Sequence, residues 1–185
     1  MPENKPIIET YYPTYQWNYI WGNLSSVFIL LKEREVLFKF IHEVLPTKKR
    51  LKEMKRSESS KCNLCDQEES NIHMVYYCTA KYDIVIWFKS ILRKYCGVQV
   101  TNFINLLFLD PPKSSKKIKN TCISLIATYI VCMWYVRDKN MDTNGIIRYI
   151  KGEIVMKHRY IEYAMANKFR NMITQHYFDL DKNDI

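Results

Sequence analysis

An all-α fold follows from three observations. Four glycines and six prolines in 185 residues leave little material for the many tight turns of a sandwich or barrel. Apolar residues recur at helical spacing through most of the chain. A content of 48% hydrophobic and 14% aromatic residues is enough to fill a core at this length.

The elements can be read in order. Residues 1–13 form a loose arm rich in proline. In TYQWNYIWGNL, Trp17, Ile20, Trp21 and Leu24 fall at i, i+3, i+4 and i+7 on one face, and Gly22 with Asn23 predicts an early break. A second helix runs from Glu33 to Leu45 with Val36, Leu37, Phe40, Ile41, Val44 and Leu45 inward. Pro46 should end it at Leu45, leaving Thr47 to cap TKKRLKEMKR with Leu51 and Met54 inward. SESS at 57–60 is a loop. Residues 80–96 read as a helix closed by Gly97, with Ile84, Trp87, Phe88, Ile91 and Leu92 as its core face. A short helix in VTNFINLLFLD precedes a linker at 110–117, and two long helices follow, roughly Ser115 to Lys139 and Thr143 to Gln175. The expected organisation is an arm (1–13), a compact helical domain (14–109), the linker (110–117) and a helical C-terminal extension (118–185).

Twenty-eight Lys and Arg against nineteen Asp and Glu give +9, which suits a polyanionic partner or plain solubility. Lys48 to Lys61 holds seven basic residues against two acidic ones, a local balance of +5. A solvated helix face explains such a run equally well when it stands alone. The C-terminal helix interleaves Arg148, Lys151, Lys157, Arg159, Lys168 and Arg170 with Tyr149, Tyr160, Tyr163 and Phe169, a pattern for nucleic acid or for an ordinary surface. The N-terminus lacks the basic start and apolar stretch of a secretory signal, so the expected location is intracellular, nucleus or cytoplasm, with reduced cysteines. CISLIATYIVCMWYV, from Cys122 to Val136, falls short of the roughly 20 residues of a membrane span and reads as a buried core helix.

CNLCDQEESNIHMVYYC carries Cys62, Cys65, His73 and Cys78 in the spacing C-x2-C-x7-H-x4-C. Three thiolates and one imidazole complete the tetrahedral shell of a structural zinc site, and none is left over for the open position of a catalytic one. Four unrelated core residues are the competing explanation, since free cysteine is often buried. If EESNIHMVYYC is helical, His73 and Cys78 sit a little over one turn apart and both can face the knuckle, with Glu68 or Glu69 in its first turn, and Lys61 and the basic helix should favour the thiolates. No phosphate loop, dinucleotide fingerprint, nucleophile elbow or H-E-x-x-H occurs, and His42, His158 and His176 stand isolated. No catalytic residue is expected.

These residues resemble a known family. REVLFKFIHEVLPTKKRL, CNLCDQEESNIHMVYYC and IVIWF look like the zinc-binding module C-terminal to the reverse transcriptase domain of LINE-type, non-LTR retrotransposons. Phe38, Phe40, Leu45, Thr47 and Leu51 fit its first part, Cys62, Cys65, Glu69, Ser70, His73 and Cys78 its second, and Trp87 its third. Trp17 and Trp21 match its opening, so the resemblance spans about residues 15 to 90. The resemblance implies binding of RNA or target DNA beside a polymerase. The chain lacks the Y/F-x-D-D polymerase motif and any endonuclease constellation, so it looks like a detached C-terminal piece or a gene derived from one.

The expected function is a non-catalytic nucleic-acid-binding module held by one structural zinc ion. Lys48, Lys49, Arg50, Lys52, Lys55, Arg56 and Lys61 would contact phosphate. The alternatives are a protein-interaction module docking a reverse transcriptase domain or host protein, with Trp17, Trp21 and Trp87 as anchors, or an inactive remnant. No membrane partner is expected.

Overall fold

The computed structural model describes residues 12–26, 28–101, 103–111 and 115–165, the side chains of 163–165 excepted. The expected arm (apart from residues 12 and 13), the middle of the linker (112–114) and everything beyond 165, including Lys168, Phe169, Arg170 and His176, lie outside the described residues, as does the side chain of Tyr163.

Among the described residues the protein is all-α. Helices α1 (Trp17–Leu24), α2 (Leu31–Ile41) and α3 (Lys48–Glu53) are followed by a π-helical turn (His73–Tyr77) and a 3₁₀ turn (Thr79–Lys81). Then come α4 (Tyr82–Cys96), α5 (Phe103–Leu107), α6 (Lys116–Val136) and α7 (Thr143–Met165). The extended pairing present is one isolated antiparallel bridge between Lys61 and Glu68.

Helix α6 is the axis of the fold. It is long and apolar enough, by length and composition, to cross a membrane, and 72% of its most apolar window is buried within the fold. Every residue from Thr121 to Met133 is buried, as a helix that is apolar all round must be. Helices α2, α4, α5, α7 and the π turn all pack on it. One apolar core runs from Trp17 to Ile154 and draws side chains from both sides of residues 110–117. At its centre Tyr129 stacks on Phe88, ring centroids 4.0 Å apart and planes 7° from parallel, while its hydroxyl donates to Val75 O at 2.7 Å. Burial raises the pKa of that hydroxyl, so it stays a donor.

A polar pin crosses this core. Lys157 Nζ of α7 lies 2.7 Å from Glu33 Oε2 of α2 and donates to Ser124 O and Thr128 Oγ1 of α6, both at 3.1 Å. Thr128 Oγ1 donates to Glu33 Oε1 at 2.9 Å, and Leu30 N donates to Glu33 Oε2 at 2.8 Å. Burial lowers the Lys157 pKa, and the Glu33 charge pulls it back up.

The caps explain several boundaries. Thr47 Oγ1 accepts from Arg50 N, Ser115 Oγ accepts from Ile118 N, and Gly97 closes α4 at φ 63° in the left-handed region that glycine enters freely. Asp142 Oδ1 accepts from Gly145 N at 2.7 Å where α7 begins.

The structure corrects several expectations, among them Val44, read as inward but 45% exposed. Helix α1 runs through Gly22 and Asn23, because Asn23 is buried and donates to Leu109 O at 2.7 Å, an acceptor 86 residues away. Helix α2 starts at Leu31 and stops at Ile41, well before Leu45, since Glu43 turns the chain with φ 55° ahead of Pro46. Met54 is exposed, because α3 ends at Glu53 and Lys55 takes φ 57°. Lys157, expected on a basic surface, is buried in the pin.

Candidate metal centre

The chain from Ser57 to Ser70 buries only Cys62 and Glu69, so apolar packing does little to hold it. Backbone bonds shape it instead. Cys62 N donates to Gln67 O at 2.7 Å and Asp66 N to Cys62 O at 3.1 Å, closing a knuckle in which Asp66 takes φ 62°. Leu64 N points at Cys62 Sγ, 3.4 Å away, the kind of bond a thiolate accepts well.

The other two donors come from the π turn. In a regular α-helix, residues five apart point about 140° away from each other. Here Cys78 N bonds His73 O at 2.9 Å, an i→i+5 closure that widens the turn and returns Cys78 to the side of His73. Ser70 Oγ accepts from His73 N at 3.1 Å, and Asn71 Nδ2 donates to Phe40 O at 2.8 Å, fixing this turn to α2.

The four ligand atoms lie within 4.8 Å of one another. Cys62 Sγ and Cys78 Sγ are 4.0 Å apart, Cys65 Sγ and Cys78 Sγ 3.8 Å, and Cys65 Sγ and His73 Nε2 3.3 Å. Zinc–sulfur and zinc–nitrogen bonds in a tetrahedron put sulfurs about 3.8 Å apart and sulfur and nitrogen about 3.6 Å apart. The spacing therefore fits zinc, and Cys62, Cys65, His73 and Cys78 are the residues that would hold it.

The electrostatics agree with a ligand set. Burial and the Lys81 charge lower the His73 pKa, which favours the neutral imidazole that a metal ligand needs. Burial raises the Cys65 thiol, but the Gln67 N–H and hydrogen bonds from Cys78, Cys62 and Thr79 outweigh it, and the net shift is downward. Burial, then the neighbouring Cys62, pushes the Cys78 thiol up to about 12, so a cation in the site must take that proton's place.

Lys61, expected to favour the thiolates, is exposed and pairs with Asp66 at 2.8 Å. The buried cation beside the thiols is Lys81, held in the 3₁₀ turn. Nothing in its sequence surroundings marked it. Glu68 and Glu69 do not serve the helix that carries His73, which begins after them. Glu69 is buried, accepting from Lys48 N through its side chain at 3.0 Å and from Lys49 N through its carbonyl at 3.1 Å. The knuckle thus binds the N-terminus of α3, where a carboxylate is favoured. The resemblance had singled out Glu69, but its partner was not legible.

Residues 7–87 match the family model described as zinc-binding in reverse transcriptase. The span includes all four candidate ligands, so this part of the chain is similar to that family. No curated protein and no solved structure matches the chain.

The seven expected phosphate contacts divide. Lys49 pairs with Glu68 at 3.1 Å, Arg50 with Glu53 at 3.1 Å, and Lys61 with Asp66, so three of the charges are partly neutralised. Lys52, Lys55 and Arg56 are exposed, with no carboxylate at ion-pair distance among the described residues. Lys48 is half-buried beside Glu69. The remaining cysteines belong to the core. Cys96, Cys122 and Cys132 are buried, and burial pushes Cys132 up to about 12.

Proposed function

We propose that the chain is an intracellular nucleic-acid-binding module of the non-LTR retrotransposon reverse transcriptase type, built on one structural zinc ion and without catalysis of its own. The observation that carries this reading is the placement of Lys52, Lys55 and Arg56. They sit exposed at the end of a helix whose other end is clamped to the metal centre by Glu69. Zinc at the four ligands would supply folding free energy, holding α3 at a fixed angle and presenting its cations together. The burial of α6 supports a partner list without a membrane.

The test is fluorescence anisotropy of the zinc-loaded protein with labelled RNA, single-stranded DNA and duplex DNA across a salt series. Binding tighter than the non-specific range of about 10⁻⁴ to 10⁻⁶ M, with a steep salt slope, is the expected result. Lys52→Glu with Lys55→Glu should weaken it and flatten the slope by nearly two units on a duplex. Unchanged affinity and slope would remove α3 from the binding surface.

A second reading, an assembly module docking a polymerase domain or host protein, draws on Leu31, Met156 and Tyr160, which are 81%, 62% and 60% exposed on α2 and α7. Self-association that survives nuclease treatment would favour it.

A further inference from the structure

Lys81 and Lys157 are the buried lysines among the described residues. A buried cation is kept in a fold by a counter-charge close to it. Lys157 has Glu33, 2.7 Å away. Lys81 is 5% exposed, and no carboxylate lies within ion-pair distance of it among the described residues.

Its surroundings narrow the choice of counter-charge. The 3₁₀ turn closes from Lys81 N to Cys78 O at 3.0 Å and so returns the chain to the metal centre. Around the side chain stand Cys78, Cys62, Glu69 and Asp138, and its charge is also felt by His73. The two carboxylates are engaged elsewhere: Glu69 accepts from Lys48 N at 3.0 Å, and Asp138 pairs with Arg137 at 3.1 Å. Burial lowers the Lys81 pKa, and Cys78 and Cys62 pull it back up more strongly than Glu69 or Asp138 does. The sulfurs are therefore its main anionic surroundings.

Charge counting gives this placement a purpose. Zinc would bring two positive charges to the four ligands, and three thiolates bring three negative ones beside a neutral imidazole. The filled centre is then a monoanion, with Cys62, His73 and Cys78 all buried. One buried ammonium balances it.

We infer that Lys81 is the counter-charge of the metal centre, matching the site to a divalent ion held by three thiolates and one imidazole. The inference rests on the zinc reading above and adds to the ligands the residue that balances their charge.

The test is competition for zinc against a chelating dye, at one pH, on the full chain and its Lys81→Met variant, which keeps the bulk and drops the charge. Lys81→Met should weaken zinc binding about 10- to 100-fold, the range for residues that support metal ligands. The same comparison is made in a Cys65→His background, where two thiolates leave the filled centre neutral and Lys81→Met should cost nothing. A second readout keeps all four ligands: alkylation by iodoacetamide at saturating zinc, followed by mass spectrometry. An unbalanced anionic centre has more nucleophilic sulfurs, so Lys81→Met should react several-fold faster than the wild type. If Cys65→His holds no zinc, the alkylation rates decide. Equal losses in both backgrounds, or weakened binding with an unchanged alkylation rate, would make Lys81 a filler of space and overturn the inference. Unchanged zinc affinity in Lys81→Met would overturn it as well. If the wild type itself binds no zinc, the zinc reading falls and the inference falls with it.

Discussion

The knuckle and the α6 core are held by opposite means. From Ser57 to Ser70 only Cys62 and Glu69 are buried, and the shape comes from backbone bonds and four converging ligand atoms. From Thr121 to Met133 every residue is buried, and the shape comes from apolar packing. On the function proposed above, the knuckle would depend on a bound ion in a way the core does not, and the two should separate under chelation.

That separation gives the largest expected effect. Structural zinc contributes on the order of 10 kcal/mol or more in small zinc-dependent folds. Chelator, or Cys78→Ser, should expose the amides of residues 60–78 to rapid hydrogen exchange while those of α6 stay protected. Simultaneous loss of protection in both would show the two regions to be one cooperative unit. Zinc affinity should also rise with pH between about pH 6 and pH 8, because Cys78, pushed up to about 12 without metal, must release its proton to bind. Burial and Lys81 lower the His73 pKa, so its share of this slope should be the smaller one. Competition with a chelating dye at several pH values reads this slope, and a flat profile would exclude Cys78 as a ligand.

The core has its own test in the pin. Glu33→Ala leaves Lys157 buried without its counter-charge and should cost about 3 to 5 kcal/mol in urea unfolding, while replacing Glu33 and Lys157 together by methionine should recover most of that. Zinc binding should survive both changes at native conditions. A smaller effect belongs to the seam between the regions. Glu69→Ala removes the acceptor of Lys48 N and should cost about 1 to 3 kcal/mol, with Glu69→Gln milder because it keeps an oxygen in place. No change in either would mean that α3 is not clamped by the knuckle.

What could be read from the sequence follows the same division. The cluster of candidate ligands was legible because metal sites are written in residue type and spacing, and Thr47 and Gly97 because caps are local. Core positions on α4 such as Phe88 and Leu92 followed from period alone. Asn23 was misread as a breaker because its partner, Leu109 O, is remote in the chain, and Lys157 as a surface charge because Glu33 is 124 positions away. Glu43 and Lys55, both at positive φ, ended helices that periodicity would have extended. In each case a local signal was overruled by a distant partner or an unusual backbone conformation.

The π turn between His73 and Cys78 also bears on ancestry. Removing one residue from it would let the segment relax into a regular α-helix, where positions four apart lie on the same face. The same ion would then be held with H-x3-C in place of H-x4-C. The gap between the last two ligands is thus tied to the type of turn that carries them, and a pattern written with a fixed gap would pass over chains holding the same ligands on a regular helix.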